Sequence, residues 1–197
     1  MSDKKEIADW VLCLAHTAVE RYLKDGVVWE PPVRELPDFL RQVRGAFTTL
    51  YDVSRGRKDL RGCIGIPLPV YPLAESIVRS AIEAAIDDPR FSPVSLEELP
   101  KLMFSVDILS PLKPIRTHDL DDLKRIIEIG KHGLIIKYRG RSGLLLPKVP
   151  VEFGWTVEEF LAHLCVKAGL PPVAYQNPQA ELYMFSSDSF SDEMFIE

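Results

Sequence analysis

The chain has 197 residues, of which 46% are hydrophobic, and a formal net charge of −5. This length and apolar content suffice for one sizeable core or two smaller lobes, and the acidic balance argues against a general nucleic-acid binder. No apolar run approaches the roughly 20 residues of a transmembrane helix, and no signal peptide is expected, since the charged N-terminus leads directly into an amphipathic pattern.

The first half of the chain predicts two helices and a hairpin. Apolar residues recur at helical spacing over 7–23, which indicates an amphipathic helix. Segments 46–53 and 60–66 are rich in β-branched and aromatic residues around the turn 54–59, which is typical of a hairpin. A helix is predicted over 73–86, and Pro89 ends it because the residue before a proline avoids the α region.

The second half predicts a strand over 101–109, a helix over 119–128 and a second hairpin, with strands 133–138 and 143–146. A helix over 157–168 follows. Thr156 and Glu159 are placed to form its capping box, and Gly169 stands at the position where a helix often ends in a left-handed turn. A last strand is expected at 182–186, before an acidic tail.

Hairpins joined to helices, without regular alternation of strand and helix, predict an α+β fold. We expect a mixed or mostly antiparallel sheet with flanking helices. The order of strand, Arg-Gly-Arg turn, strand, proline, loop and long helix occurs twice, with turns at 55–57 and 139–141. The pattern leaves open either an internal duplication or two independent uses of a common arrangement.

The most informative run is Leu60-Arg61-Gly62-Cys63-Ile64-Gly65. Glycine within a strand usually marks a bulge or a close approach by a backbone or a ligand, so Gly62 and Gly65 become candidate binding positions. Strand alternation predicts that Leu60, Ile64 and Ile66 share the core face and that Arg61 and Cys63 share the other. A guanidinium beside a thiol suits a nucleophile or an anion site, whereas an isolated cysteine is more often buried and inert.

Three further residues are candidates for the same site. His132 lies between two glycines before the second hairpin, and it could serve as a general base for Cys63 if the two meet in space. The alternative is a turn histidine bonded to backbone. Asp88 and Arg90 follow the helix over 73–86, where they predict either a charged rim beside the first hairpin or a rigid corner.

Basic residues near the first turn raise the question of RNA binding. They are Arg41, Arg44, Arg55, Arg57, Lys58 and Arg61. Only Tyr51 is nearby for base stacking, so a solvated hairpin tip is the main alternative.

The cysteine pattern indicates the cellular compartment, and the absence of known binding motifs indicates which cofactors to expect. Cys13, Cys63 and Cys165 are odd in number and far apart, which argues against a disulfide framework or a structural zinc site and favours a cytoplasmic protein. The sequence contains neither HExxH nor GxGxxG nor a phosphate-binding loop. We therefore expect no metal and no cofactor.

Several of the segments described above resemble the AMMECR-type family, which is named for the Alport syndrome, midface hypoplasia and elliptocytosis chromosomal region. Its prokaryotic members are labelled AmmeMemoRadiSam system protein A. The resemblance covers nearly the whole chain. It includes the run 60–65, Asp88-x-Arg90-Phe91 with Pro93, 98–102, Gly130-x-His132-Gly133, 145–149 and Trp155. Ile66 departs from it, because many relatives carry a small polar residue there.

The resemblance implies a single AMMECR-type domain over 1–197, with a larger and a smaller lobe and the run 60–65 beside the cleft between them. It also implies Memo-type or radical-SAM proteins as partners, while the family has no established activity. We therefore expect a binding or regulatory module in which Arg61, Gly62, Gly65, Asp88 and Arg90 contact an unknown small molecule or partner.

Two alternatives stay open. One is an enzyme that uses Cys63 as nucleophile, with Arg61 and His132, on a small anionic or nucleotide-like substrate. The other is an RNA-binding module that uses the basic hairpin tip.

Overall fold

The computed structural model describes residues 4–195. Its internal contacts divide the chain into two compact units. The first contains residues 4–109 together with 188–195, and the second is Ser110–Ser187. Each unit has its own four-stranded sheet and its own hydrophobic core.

The first unit is built around the sheet of order β2-β1-β3-β8. Its elements are α1 (Lys4–Asp25), α2 (Asp38–Arg41), β1 (Ala46–Asp52), β2 (Asp59–Ile66), α3 (Leu73–Ile86), β3 (Leu102–Leu109) and β8 (Ser187–Ser191). Strand β1 runs antiparallel to both β2 and β3. Strand β2, which contains the run 60–65, therefore forms one edge of this sheet.

Small side chains bring α3 close to its neighbours. Ala74, Ala81 and Ser80 are fully buried in this helix, which packs against α1, β1 and β2. The buried hydroxyls of Ser80 and Thr48 are hydrogen-bonded at 2.8 Å, so neither is left unsatisfied. Close packing of α3 on the sheet places the end of the helix next to strand β2.

The second unit contains β4 (Lys113–Ile115), α4 (Leu120–Ile126), β5 (Gly133–Tyr138), β6 (Arg141–Leu145), α5 (Lys148–Glu152), α6 (Val157–Lys167) and β7 (Glu181–Phe185). Its sheet has the order β4-β7-β5-β6, and β5 is antiparallel to β6 and β7. Leu123, Ile136, Phe160 and Leu164 are fully buried in its core, which lies between the sheet and α6.

The predicted α+β class is confirmed, and so are most elements. Helix α3 has the predicted bounds, and Thr156 and Glu159 form the predicted capping box. Gly169 has a φ of 71°, and the amide of Leu170 donates to the carbonyl of Cys165 at 2.9 Å, which completes a Schellman turn. The short strands β4 and β8 and the short helices α2 and α5 were not predicted.

One prediction about the run 60–65 is wrong. Leu60 was expected in the core with Ile64 and Ile66, but it is 41% exposed. The register shifts so that Gly62 pairs with Leu50 and Leu60 with Tyr51, which leaves Arg61 without a partner residue on β1. This β-bulge reverses the alternation and puts Leu60 on the same face as Cys63.

No helix within residues 4–195 has both the length and the apolar character needed to cross a membrane.

Candidate functional site

Cys63 lies on the face of the first sheet that points away from α1 and α3. Thr49 on β1 is its direct neighbour across the strands, and Ser105 on β3 is the neighbour of Thr49. Both hydroxyl residues are buried, whereas Cys63 is partly exposed. The Thr49 hydroxyl donates a hydrogen bond to the Cys63 sulfur at 3.3 Å. The thiol is therefore held in a row of polar side chains rather than in an apolar core.

The two glycines that flank Cys63 are both required by internal packing. A Cβ atom at Gly62 would lie 2.0 Å from the carbonyl oxygen of Ala84 in α3. A Cβ atom at Gly65 would lie 2.1 Å from the ring of Phe47, which covers this glycine from the neighbouring strand. The close approach predicted from the sequence is thus made by the protein itself, and ligand contact at either glycine stays a prediction.

Asp88 and Arg90 cover the open edge of β2 at Cys63. The backbone amide of Cys63 donates to Asp88 Oδ2 at 2.8 Å, and Arg90 Nη2 donates to the backbone carbonyl of Cys63 at 3.4 Å. An edge strand otherwise presents unpaired backbone groups to which another chain could bind. The two side chains replace a missing strand at this position.

The Asp88 carboxylate is almost completely buried, with 2% of its side chain exposed. Arg90 donates to it from Nε at 2.9 Å and from Nη2 at 2.6 Å. The guanidinium lowers the pKa of Asp88 to about 2, and this effect outweighs the burial that would raise it. Asp88 is therefore ionised and holds Arg90 beside Cys63.

Arg61 belongs to a second ion pair. Its guanidinium donates to Glu98 at 3.0 Å and to the carbonyl of Ser92 at 2.9 Å, and only 13% of its side chain is exposed. Arg61 also lowers the pKa of the Glu98 carboxyl. The cation that hydrogen-bonds to Cys63 is Arg90, and Arg61 instead ties the bulge of β2 to the segment after α3. Anion binding by Arg61 stays a prediction.

His132 lies in the second unit, whereas Cys63 lies in the first. Its Nδ1 accepts a hydrogen bond from the backbone amide of Glu128 at 3.1 Å, in the turn before β5. Burial, together with the nearby Lys131, lowers its pKa, so the ring is neutral at pH 7. A neutral ring bonded in this way carries its proton on Nε2. Its role as a general base stays a prediction.

The first basic hairpin tip is largely neutralised within the molecule. Arg57 forms an ion pair with Asp59 at 3.0 Å, and Lys58 forms one with Glu193. Lys58 also lies 5.9 Å from the centre of the Tyr51 ring, which was the candidate for base stacking. These contacts weaken the RNA-binding alternative without testing it.

Sequence reasoning missed Thr49, Phe91, Glu98 and Ser105 as parts of this site. Thr49 could have been placed opposite Cys63 from the hairpin register, had the bulge at Arg61 been known. Phe91 lies 5.4 Å below the Arg90 guanidinium and 6.0 Å below that of Arg61. Glu98 lies in the segment 98–102 that carries the family resemblance, and this signal could have found it, whereas no local pattern marks Ser105.

No cluster of three or more histidine, cysteine or acidic side chains suited to a metal ion occurs in the described part of the chain.

Comparison with known proteins gives consistent matches along the chain. The AMMECR1 family model matches residues 12–190. A protein from Thermococcus gammatolerans is 44% identical over 191 residues, which cover 96% of this chain and 92% of the relative. Protein MJ0810 from Methanocaldococcus jannaschii is 43% identical over 178 residues, covering 90% and 86% respectively.

A solved structure shows the same fold. The crystal structure of the uncharacterized protein PH0010 from Pyrococcus horikoshii matches with a TM-score of 0.87 and 43% identity, over 95% of this chain and 92% of that one. With the family model matched over nearly the whole chain, this protein belongs to the AMMECR1 family.

Proposed function

We propose that this protein is a binding and regulatory module whose partner contacts the surface around Cys63 and Arg90. The family resemblance implies a Memo-type or radical-SAM protein as that partner. The three cysteines are free thiols, which supports action in the cytoplasm.

One observation carries this proposal, namely that Arg90 is a fixed cation that still faces solvent. Its side chain is 53% exposed, yet the buried Asp88 carboxylate holds it at 2.6 Å. An arginine that is already oriented loses less conformational freedom when it binds an acidic group. The bonds of Arg90 to Asp88 and to the Cys63 carbonyl use Nε and Nη2, so Nη1 is the donor suited to a carboxylate or phosphate on a partner.

Leu60 supplies an apolar neighbour for the same contact. The bulge at Arg61 puts Leu60 on the face of Cys63, where it is 41% exposed. A single exposed leucine is ordinary on a protein surface. Next to an oriented arginine, however, it adds an apolar contact to a charged one, as is typical of protein–protein contacts.

The surroundings of the thiol favour binding over catalysis. A cysteine nucleophile needs a base that accepts its proton. The hydrogen bond given for Cys63 Sγ is donated by the Thr49 hydroxyl, and within the described residues of the first unit no histidine or carboxylate is hydrogen-bonded to this sulfur. Enzymatic use of Cys63 with His132 is therefore the second candidate.

The test is a calorimetric titration of the full chain with a purified Memo-type protein from the same genome. We expect Arg90→Gln to weaken binding by about tenfold or more, as is typical when a hydrogen bond to a charged group is lost. Cys63→Ser should bind like the wild type. Arg57→Gln is the matched control, because it removes an exposed arginine from the same unit outside the site.

A second pair of variants keeps the test valid if Arg90→Gln fails to fold. Leu60→Ser should weaken binding, and Leu96→Ser, which changes a leucine of similar exposure (44% against 41%), should not. Absence of wild-type binding both to the Memo-type protein and to a radical-SAM protein from the same genome would contradict the proposed partner. Full binding by both Arg90→Gln and Leu60→Ser would contradict the proposed surface, and loss of binding in Cys63→Ser alone would favour the second candidate.

A further inference from the structure

The second unit has a groove that no predicted site residue touches. It lies between the tip of the β5–β6 hairpin and the segment after α6, and its volume is about 810 Å³. Ligand sites typically occupy about 300–1,000 Å³, so the groove is large enough for a small organic molecule. It is lined by Tyr138, Arg139, Arg141, Gly169, Leu170, Pro171, Val173, Ala174, Gln176, Asn177 and Pro178.

The charge of this groove has one sign. Arg139 and Arg141 are the only charged residues in its lining. Neither forms an ion pair with a carboxylate anywhere in residues 4–195. Two arginines without carboxylate partners on one wall favour an anion, which a guanidinium binds through two parallel hydrogen bonds.

Arg141 is already oriented toward the groove wall. Its Nη1 donates to the backbone carbonyl of Gly169, the residue that closes the Schellman turn after α6. This bond holds one nitrogen of the guanidinium at the groove wall and leaves its other nitrogens for a ligand. Arg139 lies at the tip of the hairpin, with its guanidinium 5.1 Å from the centre of the Tyr138 ring.

The backbone at Arg139 is strained. Its φ of 51° makes it the only non-glycine residue with a positive φ among residues 4–195. Gly140 follows with a φ of 72°, so both turn residues are left-handed, as in a type I′ hairpin, where asparagine is usual at the first position. An arginine in this left-handed conformation lowers the free energy of unfolding by about 1 kcal/mol. Strain of this kind is often retained where a side chain serves a function.

The rest of the lining suits the uncharged part of a ligand. Leu170, Pro171 and Val173 supply an apolar wall, and Val173 is 61% exposed. Asn177 Oδ1 accepts a hydrogen bond from the backbone amide of Gln179 at 2.9 Å, which leaves the Asn177 amide group as a donor. The groove therefore combines an anion-binding end with an apolar wall and an orienting amide.

We propose that this groove binds a small organic anion, with a phosphate or carboxylate group at Arg139 and Arg141 and an apolar body against Leu170 and Val173. This groove lies in a different unit of the chain from Cys63, and binding there does not depend on the surface around that residue.

The test uses simple probes on the full chain, with binding followed by shifts of backbone amide resonances. Phenyl phosphate and benzoate share an aromatic ring and differ in the anionic group. Phenol lacks the anion, and inorganic phosphate lacks the ring. We expect one of the two aromatic anions to shift the amides of residues 138–141 and 169–178, and to bind at least about tenfold more tightly than phenol or inorganic phosphate.

Two variants and a matched control locate the site. Arg139→Gly removes the side chain and relieves the strained φ, so the variant should fold, and Arg141→Gln removes the second cation. Each should weaken the tighter aromatic anion by about tenfold, whereas Arg125→Gln, at an exposed arginine of the same unit outside the groove, should not. Equal binding of all four probes, or equal weakening by all three variants, would overturn the proposal.

Discussion

Two regions of this protein combine a hairpin with a helix in the same order, and both place the second hairpin strand at the edge of a sheet. In the first region β2 packs against α3, and Gly62 faces the carbonyl of Ala84. In the second region β6 packs against α6, and Gly143 faces the carbonyl of Leu164. In each case a glycine on the edge strand lets a helix backbone come close.

The two regions differ in how the end of the helix is joined to the edge strand. After α3, Asp88 and Arg90 reach back to the backbone of Cys63. After α6, the chain closes its own Schellman turn, and Arg141 reaches from the strand to the carbonyl of Gly169. The first connection depends on a buried carboxylate and leaves an oriented arginine at the surface. The second depends on a backbone carbonyl and leaves an arginine facing a groove.

The largest expected effect compares the two glycines. Gly62→Ala should lower the free energy of unfolding by about 3 kcal/mol, because the new Cβ would lie 2.0 Å from a backbone oxygen that a rigid helix holds in place. Gly143→Ala should cost only about 1 kcal/mol, since its nearest contacts are 2.9 to 3.0 Å. Urea denaturation of both variants measures the difference, and equal costs would show that the two helices are packed equally closely.

The next effect concerns the buried carboxylate. Asp88→Asn should lower the free energy of unfolding at pH 7 by about 2 kcal/mol, because it removes the buried charge whose pKa folding lowers from 3.8 to about 2. Asp122→Asn is the control in the second unit. That carboxylate is 44% exposed, and its loss should lower the free energy of unfolding by clearly less than the loss of Asp88 does.

The same variant predicts a pH dependence. The pKa of Asp88 falls from an ordinary 3.8 to about 2 on folding, so its stabilisation is complete above pH 4 and is lost as the pH falls from 4 to 2. Denaturation across this range should show a loss of about 2 kcal/mol in the wild type that is absent in Asp88→Asn. A parallel loss in both proteins would mean that other carboxylates account for the acid sensitivity.

The smallest expected effect compares the starts of the two helices. Helix α6 begins with a capping box, in which Thr156 accepts from the Glu159 amide at 3.3 Å, whereas α3 begins at Pro72 without a side-chain cap. Thr156→Ala should cost about 1 kcal/mol. Pro72→Ala should lower the free energy of unfolding by less than Thr156→Ala does, because no capping hydrogen bond is lost. Thermal unfolding of the two variants measures the difference. A larger loss for Pro72→Ala would show that packing at Pro72 dominates.

Local rules were sufficient for most elements. The bounds of α3 follow from its apolar spacing between Pro72 and Pro89, and the capping box of α6 follows from the positions of Thr156 and Glu159. Strands β4 and β8 were not predicted, because three to five residues without strong β-propensity form a strand only when a neighbouring strand pairs with them.

At the candidate site the sequence by itself determined which strand carries the run 60–65. It placed Cys63 on the return strand of a hairpin, with glycines on either side, because turn and strand signals act over a few residues. The tertiary structure decided how the side chains are used. The bulge turned Leu60 outward, Arg61 paired with Glu98 at a separation of 37 residues, and Asp88 bonded to Cys63 at a separation of 25. These contacts form only when α3 packs on the sheet, and no local pattern specifies them.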